Sequence, residues 1–258
     1  MINLENVGNK AFGKSLNSAY LNNEVLIPLP SLDIQQQIVS ECEKVDEEYN
    51  NSRMTIEEYK RKIAETMANV KGEKKKLGDV YKISSGGTPS RKNPLFWNNG
   101  SIPWLTTREL QNRVIYDTTE KITSEGLKNS SAKLYPIDSI VVAMYGMTVG
   151  YSAKLGIEST TNQACAVLYE KKINVKTDYV WYYIQSQTEA LKALRHGSSQ
   201  PNLNADDVAN FQIPFPPLAE QQRIVSEIES YESKISAAKE VMASCAERKK
   251  KILEKWLR

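Results

Sequence analysis

The chain has 258 residues, a quarter of them charged, a formal net charge of +3 and a mean hydropathy of −0.50. No run approaches the roughly 20 apolar residues of a membrane-spanning helix, and no basic-then-apolar leader opens the chain, so a soluble protein of the reduced cytoplasm is expected. Three distant cysteines (Cys42, Cys165, Cys245), one histidine (His196) and no C-x-x-C exclude cysteine–histidine zinc sites, and no metal or cofactor is expected.

In chain order, the first motif is "GNKAFGKS", Gly8 to Ser15, which fits the phosphate-cradling pattern G-x-x-x-x-G-K-[ST]. A P-loop needs a buried strand before it and a helix after it. Only "MINLENV" precedes Gly8, and two prolines follow within fifteen residues of Ser15. A nucleotide-binding protein is therefore an alternative reading, and a polar loop is the favoured one.

The next feature is a repeat. "IPLPSLDIQQQIVSE" (27–41) and "IPFPPLAEQQRIVSE" (213–227) share ten of fifteen positions at an offset of 186. Each copy has prolines that hold an extended lead-in, then an acid in the first helical turn, Asp33 or Glu220. No further proline or glycine appears before Gly72 in the first copy, and none at all in the second. Apolar positions recur every three or four residues. The first stripe is Ile38, Cys42, Val45, Tyr49, Ser52, Ile56, Tyr59, Ile63, Thr66 and Val70. The second is Ile224, Ile228, Tyr231, Ile235, Ala238, Met242, Cys245, Lys249, Ile252 and Trp256. The two stripes keep the same offset, and only Ser52, Thr66 and Lys249 interrupt them, so they predict two long helices joined along a coiled-coil seam. Each would be roughly 57 Å long. The chain leaves by one and returns by the other, so they are expected to run antiparallel with the intervening domain at one end. Cys42 and Cys245 fall on the seam as small apolar side chains.

Between the helices, short β-rich runs alternate with turn residues: "DVYKI", "SIPWLTT", "SIVVAMYG" and "QACAVLYE". One helical stretch, "TDYVWYYIQSQTEALKALRH", follows. The expected class is α+β: a globular mixed α/β-sheet domain on a long antiparallel two-helix stalk. Residues 74–217 carry 17 basic and 12 acidic side chains, residues 1–73 carry 8 and 12, and residues 218–258 carry 9 and 7. The domain is the basic part, which favours a polyanionic partner there.

Several stretches together resemble the DNA-specificity subunit of type I restriction–modification systems. They are "LGDVYKISSGGTPS", "WNNGSIPW", "YGMTVGYSA", "TNQACAVL", "GSSQPNLN" and "IPFPPLAEQQRIV". The resemblance covers the whole chain. It implies a non-catalytic protein that reads double-stranded DNA at a bipartite site and brings methyltransferase (modification) subunits there, and restriction subunits through them. Family members usually run domain, helix, domain, helix. Here the expected order is residues 1–32 as the tail of a first recognition domain, 33–73 as the first helix, 74–217 as a target-recognition domain and 218–258 as the second helix. A chain with one domain and two helices is expected to restore the missing half by forming a homodimer.

Candidate DNA contacts are loop residues able to hold phosphate or read base edges. "SGGTPSRKN" offers Gly86 and Gly87 for close backbone approach, the hydroxyls of Thr88 and Ser90, and the cations Arg91 and Lys92. Arg108 stands in "TTREL", and Tyr145 and Thr148 flank glycines in "MYGMTVGY". Arg195, Ser198, Ser199 and Gln200 lie in "RHGSSQ", where His196 is expected to be a satisfied surface side chain and Gly197 a helix cap. Trp97 and Trp104 are expected in the core. A structural coiled-coil adaptor without DNA binding is the other alternative, and it predicts no salt-dependent affinity.

Overall fold

The computed structural model describes residues 29–196 and 202–257. The motif Gly8–Ser15 and the candidate contacts Ser198, Ser199 and Gln200 lie outside them. No helix among the described residues is long and apolar enough to cross a membrane. The chain divides into two compact units, one built from 29–58 with 234–257 and the other from Tyr59–Ser233.

Two long helices carry the repeat, α1 (Leu32–Ala68) and α7 (Leu218–Trp256). In the first unit they run antiparallel. Arg248 grips Glu48, Lys249 meets Asp46 at 2.5 Å and Lys255 meets Glu41 at 2.9 Å, so rising numbers on one helix face falling numbers on the other. The contact is lined by Val45, Ile56, Ile235, Ala238 and Cys245, all buried, with Ile38, Cys42, Met242 and Ile252 half-buried beside them. The Cys245 thiol donates within its own helix to the Val241 carbonyl at 3.2 Å. Tyr49 departs from the expected stripe: its ring is exposed, because a seam of only two helices has no third layer to cover an aromatic side chain.

In the second unit the last turns of α1 and the first of α7 join a larger core. Ile224, Val225, Ile228 and Met67 are buried there, with Ile63 and Val70 packed at its edge. Met67 and Val225 stand off the a/d stripe. They are covered because a helix facing both a partner helix and a domain needs a wider apolar stripe than a coiled-coil seam. The seam interruption at Thr66 is accommodated by a bond from its hydroxyl to Glu227 at 3.3 Å.

The domain is built on a five-stranded sheet in the order β2 (Tyr81–Ser85), β9 (Cys165–Lys171), β6 (Ile140–Ala143), β7 (Ser152–Leu155), β4 (Arg113–Ile115). Its centre explains why "SIVVAMYG" and "QACAVLYE" read as unbroken apolar runs rather than alternating ones. Ile140, Val142, Ala166 and Leu168 enter the core that contains the helices. Val141, Ala143, Cys165 and Val167 enter a second core with Leu105, Leu110, Ile115 and Tyr135 on the opposite face. Burial pushes the Cys165 thiol far above its ordinary range, so it behaves as an inert apolar group.

A three-stranded sheet, β5 (Glu120–Ile122), β3 (Ile102–Leu105), β8 (Thr160–Thr161), carries its own small core of Trp104, Ile122 and Ala132. A ribbon of β1 (Glu73–Lys76) with β10 (Gln212–Phe215) leads from α1 into the domain and from the domain into α7.

Two local expectations are corrected. "DVYKI" is not one strand, since Leu77–Val80 form a helical turn, α2, that buries Leu77 and Val80 before β2 begins. The helical stretch after residue 177 is two helices, α4 (Thr177–Ser186) and α5 (Thr188–Ala193). The break falls in the polar run around Gln187, where the Thr188 hydroxyl bonds back to the Gln185 carbonyl at 2.9 Å and competes with the helical ladder.

Candidate nucleic-acid interface

Strand register decides which loops meet. Ser85 pairs with Ala166, Ala143 with Cys165, Val142 with Ser152, and Arg113 with Ala153. The C-terminal ends of β2 and β6 and the N-terminal ends of β9, β7 and β4 therefore share one end of the sheet. That end carries the loop after Ser85, the tip between Ala143 and Ser152, and the short approach Asn162–Ala164. The Leu203 N–H donates to the Met144 carbonyl at 2.9 Å and tethers a fourth segment to the tip. His196 and Asn202 exchange backbone bonds of 2.9 and 3.0 Å, which places Arg195 beside this segment.

The sequence-predicted residues fare differently. Gly86 and Gly87 are buried. A Cβ on Gly86 would lie 2.0 Å from Thr161 Oγ1, and one on Gly87 would lie 2.4 Å from the Ala132 nitrogen. Close packing inside the domain, not room for a ligand, requires glycine at both positions. Thr88 is half-buried and donates its hydroxyl to Gln163, an exposed side chain that the sequence reading passed over as part of a strand. Cys165, not Gln163, begins the strand. The polar pair Asn162–Gln163 ahead of an apolar run was the signal.

Ser90 and Lys92 are exposed, and neither side chain has an ion-pair partner among the described residues. Arg91 is committed elsewhere. Its two guanidinium nitrogens each lie 2.6 Å from a carboxylate oxygen of Glu120. The guanidinium carbon stands 3.6 Å from the Trp97 ring centroid and 4.8 Å from that of Trp104. This pairing raises the Arg91 pKa and holds the Glu120 carboxyl below the usual range. Both indoles also splint the loop: Trp104 Nε1 donates to the Gly87 carbonyl at 2.9 Å, and Trp97 Nε1 to that of Ser90 at 3.1 Å. Trp104 is buried as expected, whereas Trp97 is only half-buried, edge-on to it.

Arg108 is exposed on a 3₁₀ turn, Thr107–Glu109, with no ion pair among the described residues. The turn is rigid because buried Glu109 accepts from the backbone and hydroxyl of Thr106 (2.9 Å each) and of Thr119 (2.8 and 3.1 Å). Tyr145 is exposed and Thr148 half-buried on the tip. Arg195 is exposed, its Nε donating to the Lys192 carbonyl at 2.7 Å. His196 is exposed with Nε2 3.1 Å from Asp207, the satisfied surface histidine expected. The resulting surface combines cations and donor side chains on rigid turns, the chemistry that holds a phosphate backbone and reads base edges.

Comparison with known proteins gives a consistent answer. A family profile described as "Type I restriction modification DNA specificity domain" matches residues 69–242. The chain is 30% identical over 234 residues to the Escherichia coli type I restriction enzyme EcoR124I/EcoR124II specificity subunit, covering 84% of this chain and 57% of that protein. It is 31% identical over 170 residues to the MjaIX specificity subunit of Methanocaldococcus jannaschii, covering 64% and 39%. The fold is similar to that of the HsdS subunit from Thermoanaerobacter tengcongensis, with a TM-score of 0.64 at 20% identity over 90% of this chain and 60% of that one. The chain thus spans about half the length of the curated relatives it matches. On these matches and this fold, the chain belongs to the family of type I restriction–modification DNA specificity domains.

Proposed function

We propose that this chain is a non-catalytic, sequence-specific DNA-recognition subunit that directs methyltransferase and restriction subunits to a bipartite site. The observation that carries the reading is the gathering of exposed Lys92, Arg108, Arg195, Tyr145 and Gln163 around one end of a rigid sheet in a chain of this family. Residues 74–217 act as the recognition domain, and the segments 33–73 and 218–258, which carry α1 and α7, hold the protein partners.

Salt titration of duplex binding tests it. Removing one cation from a phosphate flattens the slope of log affinity against log salt by about 0.9. Lys92→Ala removes a cation with no ion-pair partner among the described residues and is expected to flatten the slope by about one. Arg91→Ala is expected to weaken binding by loosening the loop while leaving the slope steep, since Glu120 already neutralises that guanidinium. A slope flattened by Arg91→Ala and not by Lys92→Ala would reverse these roles, and an affinity independent of salt would remove DNA recognition altogether.

The chain also acts as a homodimer in this reading. Within the first unit, α1 residues Leu32, Val39 and Met54 and α7 residues Val241 and Leu253 leave apolar side chains exposed. Residues 32–58 carry 8 acidic and 2 basic side chains, and 234–258 carry 3 and 8. A two-fold axis that lays the acidic helix of one copy against the basic helix of the other satisfies both features and gives two inverted recognition domains. Light scattering is expected to report twice the chain mass of 29.1 kDa. A clean monomer at micromolar concentration would defeat the dimer and leave DNA recognition standing.

A further inference from the structure

The tip between β6 and β7 holds the most exposed large apolar side chain among the described residues. Met147 is 97% exposed, at the apex of the 3₁₀ turn Gly146–Thr148. Two exposed aromatic residues of the same tip, Tyr145 and Tyr151, accompany it. Single exposed apolar residues are ordinary on a surface. A long apolar side chain held wholly in water on a rigid support, among the loops that face a ligand, is not.

The support is rigid for identifiable reasons. The Gly150 N–H donates to the Ala143 carbonyl at 3.0 Å, Ala143 N–H to Tyr151 at 2.9 Å, and Tyr151 N–H to Thr148 at 2.9 Å. Met144 is bonded on both sides, its N–H to the Ala164 carbonyl at 2.8 Å and its carbonyl to Leu203. Gly150 has φ +81°, and a Cβ there would lie 2.8 Å from the Thr188 carbonyl, so the base of the tip is seated against α5. Gly146 has φ +77° yet nothing within 4 Å of a built Cβ. Its glycine serves the backbone turn alone, and that turn raises Met147 clear of the surface. Beside the tip, the Lys192 ammonium lies 5.3 Å from the Tyr151 ring centroid and is paired with Glu189 at 2.7 Å, and Arg195 is exposed one turn further on.

We propose that Met147 is a wedge that enters a base step of the bound duplex and partly unstacks it, with Tyr145 and Tyr151 as flanking stacking surfaces and Arg195 on an adjacent phosphate. The inference rests on the DNA-recognition reading. Duplex DNA fits the tip better than a protein groove for two reasons. The apolar surface is one narrow projection beside the exposed Arg195 rather than a broad face, and an unbranched thioether is slim enough to wedge into a base step as it opens from its normal spacing of about 3.4 Å. Flexible, polarisable methionine also adapts to a partly opened stack better than a branched side chain does.

The test uses the full chain and duplexes of the sequence it selects from a randomised pool, with 2-aminopurine placed at each step in turn. The unaltered chain is expected to raise emission at one step. Met147→Ala should abolish that rise and weaken binding by about tenfold, within the range for loss of a stacked side chain. Its salt slope and melting temperature should stay unchanged, and Met147→Leu should restore part of the emission. Salt-dependent binding with emission and affinity indifferent to Met147→Ala would overturn the wedge alone. A chain that binds no duplex would overturn the wedge together with the reading beneath it.

Discussion

Gln221→Ala is expected to destabilise the protein by about 4 kcal/mol, whereas Gln35→Ala, at the same position of the repeat, is expected to cost about 1 kcal/mol. Both glutamines reach back to a proline carbonyl of their own lead-in, Gln221 to Pro216 and Gln35 to Pro30, each at 2.8 Å. Gln221 is fully buried, and its carbonyl oxygen also accepts the Lys176 N–H at 3.0 Å, at the start of α4. Alanine there strands a buried donor and a buried acceptor, each of which costs roughly 1–3 kcal/mol. Gln35 is half-buried, and among the described residues its carbonyl oxygen accepts no bond, so water replaces most of what alanine removes. For a chain of this size, about 4 kcal/mol corresponds to a fall in Tm of roughly 10 °C. Equal losses for the two variants in thermal unfolding would show that the repeat is energetically symmetric and this account wrong.

The second large effect is expected at Gly86. A methyl group there would stand 2.0 Å from Thr161 Oγ1, 2.3 Å from the Thr161 carbonyl and 2.4 Å from that of Asn162. Two of the three obstacles are backbone atoms beside β8 and β9, so the loop must leave its seat instead of a side chain turning away. Gly86→Ala is expected to cost about 3 kcal/mol or more. It should also weaken DNA binding through the bond from Thr88 to Gln163, which depends on the same seat. Gly146→Ala is the control. It places a side chain at positive φ in open space and should cost only about 1 kcal/mol. Comparable melting temperatures for the two variants would refute the packing argument.

Some of this was legible beforehand and some was not, and the division follows the range of the interactions. The repeat and its two stripes announced the helices, because a helix writes its partner-facing side into local spacing. The doubly buried strands β6 and β9 were visible as continuous apolar runs. Strands such as β4 (three residues) and β8 (two residues) were not, since their place comes from neighbours distant in the chain. The arginine in "SGGTPSRKN" looked like a free cation because its neutralising partner, Glu120, arrives from another strand. The packing that requires glycine at 86 and 87 is hidden for the same reason, since it comes from Thr161 and Ala132, far away in sequence.

The α+β class, the pair of long helices with their common register and the resemblance to DNA-specificity subunits follow from the order of residues, because periodicity, proline punctuation and a ten-of-fifteen repeat are local properties of the chain. The three-dimensional packing was needed to show which loops share one end of the sheet, that Arg91 is tied to Glu120 between two tryptophans, that Gln221 is closed in while Gln35 is not, and that Met147 projects fully into solvent. Each depends on strand register and on contacts between residues remote in sequence, and no local pattern encodes which remote group will be there.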